Sequence, residues 1–157
     1  IALAQRFSVS VHSVLSRLTA MPEGTLGSES GLIVCDNSGS LLFHKAIQGF
    51  AVPRFGSTCP LWPVYAALSR PMTPIFQRVE QVGRDALQFD CFAIAHPHAP
   101  ASFNEDPLFH STMLIVPAGQ FEQVPQAEVR PVGSTCRICP RENCRGRREP
   151  SVLSQEF

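Results

Sequence analysis

Three of the six cysteines lie close together near the C-terminal end, at the spacing C-x2-C-x4-C. They are Cys136, Cys139 and Cys144. A short loop with that spacing can turn three thiolates toward one point, where a soft metal or an iron–sulfur cluster is the usual occupant. Cys139 precedes a proline, as cluster ligands often do. Arginines at positions 137, 141, 145, 147 and 148 add positive charge, which favours the thiolate form.

The same spacing has other interpretations. Two of the cysteines could form a disulfide or act as redox-switch thiols, and all three could be unligated. A structural zinc site needs four protein ligands, whereas the loop supplies three. We therefore predict that the loop holds one metal centre with a fourth ligand from elsewhere in the chain. A [4Fe–4S] cluster is the first choice for this centre, and zinc is the alternative.

Candidates for the fourth ligand are few. Cys59 comes just before a predicted helix start, where the helix dipole favours a thiolate, and it is the first choice. His12 on a predicted helix is the second choice. His96 and His98 flank a proline and are interpreted as solvated loop residues, and His110 as a structural residue of a strand.

Composition sets further limits. The chain has 157 residues, 44% of them hydrophobic, which is enough for one domain with a core. A formal net charge of zero argues against a surface dominated by nucleic-acid binding. No apolar run reaches the length of a membrane span, and no signal peptide is recognisable. Because the first residues already follow a helical pattern, we interpret the chain as part of a longer protein. Cysteines without a secretory context predict a cytoplasmic location.

Residues 1–26 are predicted to form a pair of short helices. Ser10 is placed to cap the second helix, Val11–Leu18, whose apolar residues recur at helical spacing. The pair is similar to a helix-turn-helix. Its second helix carries only Arg17 as a base, which favours an ordinary packed pair over a reader of DNA.

Strands alternate with turns through the middle of the chain. Asp36 to Gly39 form a hairpin signal between the first two strands, and Ser57 or Thr58 is predicted to cap a helix. Residues 120–135 are predicted to be a loop. The predicted strands are Gly31–Cys35, Leu41–Ala46, Ile75–Val82, Leu87–Ala95 and Leu108–Val116, and the predicted helix is Pro60–Ser69.

This order predicts an α+β fold, an antiparallel sheet with helices on one side, in the layout of GAF- or PAS-like sensor domains. Such domains hold ligands between the sheet and a helix. We divide the chain into the helix pair at 1–26, a sensor domain at 27–129, and a cysteine loop with a tail at 130–157.

Four stretches together resemble the C-terminal half of short-chain fatty-acyl transcription regulators. They are LAQRFSVS at 3–10 with Arg17 and Leu18, PRFGSTCPLW at 53–62, the central sheet, and GSTCRICPRENC at 133–144. The last stretch is specific, and the first is weak alone. In that family, a helix-turn-helix and an IrrE-like middle region precede a sensor domain.

The resemblance implies a transcription regulator whose DNA-reading domain lies outside this chain, with residues 1–26 at the end of the IrrE-like region. It further implies short-chain acyl-CoA as effector and, in some members, an iron–sulfur cluster on the C-terminal cysteines. DNA, through the missing domain, and a second copy of the chain are the expected partners. Arg54 and Arg78 are then expected to contact CoA phosphates, and Trp62, Tyr65 and Phe76 to line an acyl pocket.

Two other function classes stay open beside this interpretation. One is a redox- or metal-sensing domain without acyl-CoA binding, or a zinc-stabilised interaction module. The other is an enzyme, which we do not expect, because the sequence has no nucleophile–base pair, HExxH motif or phosphate loop.

Overall fold

One sheet of six strands forms the centre of the part described by a computed structural model, which covers residues 1–22, 29–83, 85–99, 102–121 and 128–153. The strands are β1 (Gly31–Cys35), β2 (Leu41–Lys45), β3 (Ile75–Gln81), β4 (Gln88–Pro97), β5 (Phe109–Pro117) and β6 (Arg130–Val132). Their order across the sheet is β2-β1-β5-β4-β3-β6. All neighbouring pairs are antiparallel except β3 and β6.

Three α-helices accompany the sheet in the described residues: α1 (Ala2–Phe7), α2 (Val11–Thr19) and α3 (Pro63–Leu68). The predicted cap of α2 is confirmed, because the Ser10 hydroxyl accepts a hydrogen bond from the Ser13 amide at 3.0 Å. The predicted hairpin is also confirmed. The Asp36 carboxylate accepts from the amides of Ser38 and Ser40, and Gly39 adopts a φ of 81°, which glycine tolerates best.

The predicted α+β class and antiparallel sheet are confirmed, but the helices do not all lie on one side. Side chains alternate between the two faces of a strand. On one face, strand residues such as Ile33 and Met113 pack with Trp62, Val64 and Ala67 of the α3 region. On the other, strand residues such as Leu32 and Leu114 pack with Leu15 of α2. Each face therefore has its own helix and its own apolar layer.

The helix predicted at Pro60–Ser69 begins three residues later, at Pro63, and neither Ser57 nor Thr58 caps it. Trp62 precedes a proline, and the proline ring disfavours helical geometry in the residue before it. Trp62 accordingly has extended geometry, with φ −65° and ψ 140°. The Thr58 hydroxyl pairs with the hydroxyl of Tyr65 instead.

Two strands differ from the prediction. β4 continues through His96 to Pro97. At this end β4 pairs only with β5, because its pairing with β3 ends at Ala93. The proline, which has no amide hydrogen, therefore interrupts no hydrogen bond to β3. β6 falls in the region predicted as loop, and its three residues pair with β3 far away in sequence. Part of that region, residues 122–127, lies outside the described residues, as does the tail from residue 154 onward.

Candidate functional site

The cysteine loop packs against the chain just before α3. The Cys59 amide donates to the Ser134 carbonyl at 2.8 Å, and the Trp62 indole N–H donates to the Gly133 carbonyl at 2.8 Å. In return, the Gly133 amide donates to the Cys59 sulfur at 3.3 Å. Trp62 is fully buried, so these bonds fix the start of the loop to the core of the α3 face.

Four cysteine side chains line one small cavity at this junction: those of Cys59, Cys136, Cys139 and Cys144. We call it the cysteine cavity. Its volume of about 10 Å³ is close to that of a single water-sized sphere. Thus the first-choice fourth ligand, Cys59, lies beside the three loop cysteines, although it is distant from them in sequence.

The backbone leaves room for the thiols. A Cβ on Gly133 would stand only 3.1 Å from the Cys139 sulfur, which is closer than side chains normally pack. Burial raises the pKa of the Cys59 thiol, and the neighbouring Cys136 and Cys139 raise it further. Bringing several thiolates together is therefore unfavourable unless a positive charge joins them.

Two arginines hold the loop through its backbone. The Arg147 guanidinium donates to the carbonyls of Cys136 and Cys139 at 3.4 Å each, and also to the carbonyl of Arg141. Arg141 donates to the Pro131 carbonyl of β6 at 2.8 Å. Both arginines also line the cysteine cavity, so positive charge stands beside the thiols, as the sequence predicts.

Within the described ranges, no three His, Cys, Asp or Glu side chains already stand in the geometry of a bound metal ion. Four thiols do line one cavity, however, and thiolate sulfur is the donor type that soft metals prefer. The described cysteines thus have the right chemistry for a metal centre, although they do not stand as a formed metal site.

The other predicted metal ligand, His12, is not brought to the cysteines. Its Nδ1 lies 2.6 Å from the Thr112 hydroxyl, on the α2 face of the sheet. The cysteine cavity belongs to the α3 face, where Cys59 is part of the core. The sheet thus stands between His12 and the predicted centre.

The predicted acyl pocket is also divided by the sheet. Trp62 and Tyr65 pack on the α3 face, whereas Phe76 stacks on Phe92, which packs on the α2 face. Trp62, Val64 and Ala67 are 0% exposed, so the α3 interface is filled by core side chains. Trp62, Tyr65 and Phe76 therefore do not form the single acyl pocket that the sequence predicts.

The predicted phosphate ligands also differ in their surroundings. Arg78 forms a two-pronged ion pair with the buried carboxylate of Asp90, at 2.7 and 2.9 Å. That carboxylate also accepts from the Gly119 amide at 3.0 Å. Arg78 is thus occupied by a structural partner, whereas Arg54 is exposed in the segment between β2 and α3.

A larger opening lies on the α2 face, between α2, the β1–β2 hairpin and the ends of β4 and β5. We call it the α2 groove. Its volume is about 640 Å³, within the usual range for small-molecule sites. Leu32 and Val34 of β1 and Leu42 and Phe43 of β2 supply apolar wall, and Lys45 lines it where its ammonium donates to the Thr19 carbonyl at 2.6 Å.

Four of the five histidines line the α2 groove: His12, His96, His98 and His110. We call them the histidine cluster. The rings of His12 and His96 stack with centroids 4.6 Å apart, and those of His98 and His110 with centroids 4.0 Å apart. The sequence alone does not predict this group. His96 and His110 are neighbours only because β4 pairs with β5, and a sequence pattern does not give the register of that pairing.

Comparison with known proteins gives one family. Residues 30–156 match the family described as short-chain fatty acyl coenzyme A regulator, C-terminal. The HTH-type transcriptional regulator RamB of Mycobacterium tuberculosis is 26% identical over 160 residues, covering 96% of this chain and 34% of the relative. The propionyl-CoA carboxylase regulator of Cereibacter sphaeroides is 27% identical, covering 96% and 34%. This chain thus spans about a third of the length of these regulators.

A solved structure has the same fold. It is that of a transcriptional regulator from Mycobacterium tuberculosis, and it superposes with a TM-score of 0.76 at 23% identity. The match covers 98% of this chain and 49% of the other. The alignment therefore includes α1 and α2 as well as the sheet. No helix in the described parts of the chain is long and apolar enough to cross a membrane.

Proposed function

The chain belongs to the family of short-chain fatty acyl coenzyme A regulator C-terminal domains, and we propose that it is the effector-sensing part of a bacterial transcription regulator. The effector is a short-chain acyl-CoA. On this proposal the protein acts by binding and catalyses no reaction. DNA is contacted by another part of the regulator, and a second copy of the chain is the expected partner.

We place the effector in the α2 groove. The observation that carries this choice is the groove's combination of size and lining, since about 640 Å³ of space joins an apolar wall to several nitrogen donors. An acyl-CoA needs both, because its acyl chain is apolar and its nucleotide end carries phosphates. The α3 interface, by contrast, is filled by Trp62 and its neighbours.

Calorimetric titration of propionyl-CoA tests this placement. Phe43 lines the groove and is 54% exposed, so Phe43→Ser should weaken binding about ten-fold without disturbing the core. Phe55 is 90% exposed and does not line the groove, which makes Phe55→Ser the matched control. Equal affinity for the two variants would place the effector elsewhere. Failure of the unaltered protein to bind would contradict acyl-CoA sensing itself.

We further propose that Cys59, Cys136, Cys139 and Cys144 hold one metal centre. The shared cavity of the four thiols supports this, and so does the close approach of Gly133 to the Cys139 sulfur. A [4Fe–4S] cluster suits the Cys-Pro pair and the arginines. Zinc is the second candidate, because four cysteines can bind it tetrahedrally, and it would make this region a structural module.

Metal and sulfide analysis of anaerobically prepared protein separates these candidates. Each of the four Cys→Ser variants should lose most of the bound metal, while Cys35→Ala, at a buried thiol outside the cavity, should keep it. Visible absorption with acid-labile sulfide identifies a cluster, and a colourless zinc protein identifies the alternative. A full metal complement in all four variants would contradict the proposed centre.

A further inference from the structure

The histidine cluster is the least expected feature of the α2 groove. Its rings come from three elements, with His12 on α2, His96 and His98 on and just after β4, and His110 on β5. His96 and His110 are paired directly across β4 and β5, and each stacks on one further ring. Four imidazoles therefore meet at one end of a groove that is otherwise lined mainly by apolar side chains.

Several ring nitrogens have capacity for a ligand. His12 uses Nδ1 for the Thr112 hydroxyl, which leaves Nε2. The Nδ1 of His96 is buried and, among the described residues, lacks a hydrogen-bond partner. A buried polar atom without a partner is costly, so a turn of the His96 ring that brought this nitrogen to a ligand would be favoured.

The charges around the cluster select the kind of ligand. Lys45 lines the same groove and would repel a cation. Within the described residues, the four imidazoles do not stand in the arrangement of a metal site. Among the residues that the structure describes, the acidic group that interacts with the cluster is Asp36, which acts on His110. The ionisable groups facing the cluster are His12, His96, His98, His110, Lys45 and Asp36. An anion of the phosphate class fits these groups better than a metal ion does.

We propose that the histidine cluster binds the phosphate groups of the acyl-CoA effector and takes up protons as it does so. This inference rests on the proposed function and adds an orientation to it. The nucleotide phosphates lie at the histidine end, and the acyl-pantetheine arm runs along Leu42, Phe43 and Val34. It also makes effector binding depend on pH.

The direction of that dependence follows from the free protein. Burial lowers the pKa of His12, His96 and His110, and repulsion between the rings lowers it further. These rings are therefore mostly neutral near pH 7. A phosphate placed among them favours the charged form and raises their pKa, so the complex holds more protons than the free protein. Affinity should then rise as pH falls toward 6.5.

Calorimetry of propionyl-CoA in two buffers of different ionisation enthalpy measures the protons directly. At pH 7 we expect uptake of about one proton. His110→Gln, at a partly exposed ring whose pKa is lowered in the free protein, should weaken binding about ten-fold and reduce the uptake. His44→Gln is the matched control, because His44 is exposed on β2, does not line the groove, and should leave both quantities unchanged. His12→Gln is a second variant, should His110→Gln fail to fold.

Two further ligands show which part of propionyl-CoA causes the proton uptake. Propionyl-pantetheine, which lacks the nucleotide phosphates, should bind without proton uptake. Inorganic pyrophosphate should bind weakly with uptake and compete with propionyl-CoA. Propionyl-CoA binding without proton uptake, equally tight in all the histidine variants, would overturn the inference and leave the proposed function standing. Absence of propionyl-CoA binding in every protein would instead overturn the proposed function.

Discussion

At the scale of single residues, the two candidate sites put ionisable side chains into surroundings that oppose their charged forms. Burial raises the pKa of Cys59 and lowers the pKa of His96. In each case the neighbours are groups of the same kind: other thiols around Cys59, other imidazoles around His96. Each group is thus unfavourable in its charged form until a ligand of opposite charge arrives, as expected for binding sites.

The histidine cluster should make stability depend on pH even without ligand. The folded-state pKa of His12, His96 and His110 lies below the ordinary value of 6.5, so near and just below pH 6.5 the unfolded chain binds more protons. The free energy of unfolding should therefore fall as pH drops through 6.5 toward the folded-state pKa values. Denaturant unfolding at pH 7.5, 6.5 and 5.5 measures it. His96→Gln should reduce the dependence of the unfolding free energy on pH, whereas His44→Gln should leave it unchanged. The same pH dependence in both variants would contradict the role given to the histidine cluster.

At the scale of elements, local features were predictable and long-range ones were not. Ser10 caps α2 and Asp36 closes the hairpin through bonds within four residues, so the sequence reveals both. The sequence suggested Cys59 as a partner of the loop cysteines only because a thiol before a predicted helix start favours the thiolate form; it gave no sign that the two segments are close in space. β6 and the histidine cluster depend on strand pairing over long separations, which no short pattern encodes.

The link between β6 and the cysteine loop offers a test at this scale. Gly133→Ala places a methyl group 3.1 Å from the Cys139 sulfur and 3.4 Å from its Cβ, so this thiol must shift. We expect metal affinity to fall about ten-fold, as when the support of a metal ligand is altered. Gly83→Ala is the control, because a Cβ there meets nothing within 4 Å. Metal competition titrations compare the two variants, and equal affinities would show that the loop tolerates the shift.

At the scale of the whole molecule, the sheet separates the two candidate sites. The cysteine cavity lies on the α3 face and the α2 groove on the other, and both faces share β1, β4 and β5. Alternate residues of those strands belong to the two apolar layers, so a shift of a strand changes the packing on both faces of the sheet. A sensor built this way can combine two signals, provided that each ligand prefers one arrangement of the sheet.

The measurement that tests this account most directly is calorimetric titration of propionyl-CoA into protein with and without the proposed metal centre. We expect binding in both forms, with affinities that differ several-fold, which corresponds to a coupling of about 1–3 kcal/mol. Equal affinities would contradict the coupling and leave two unrelated sites. Absence of propionyl-CoA binding in both forms would contradict the central claim that this chain senses a short-chain acyl-CoA.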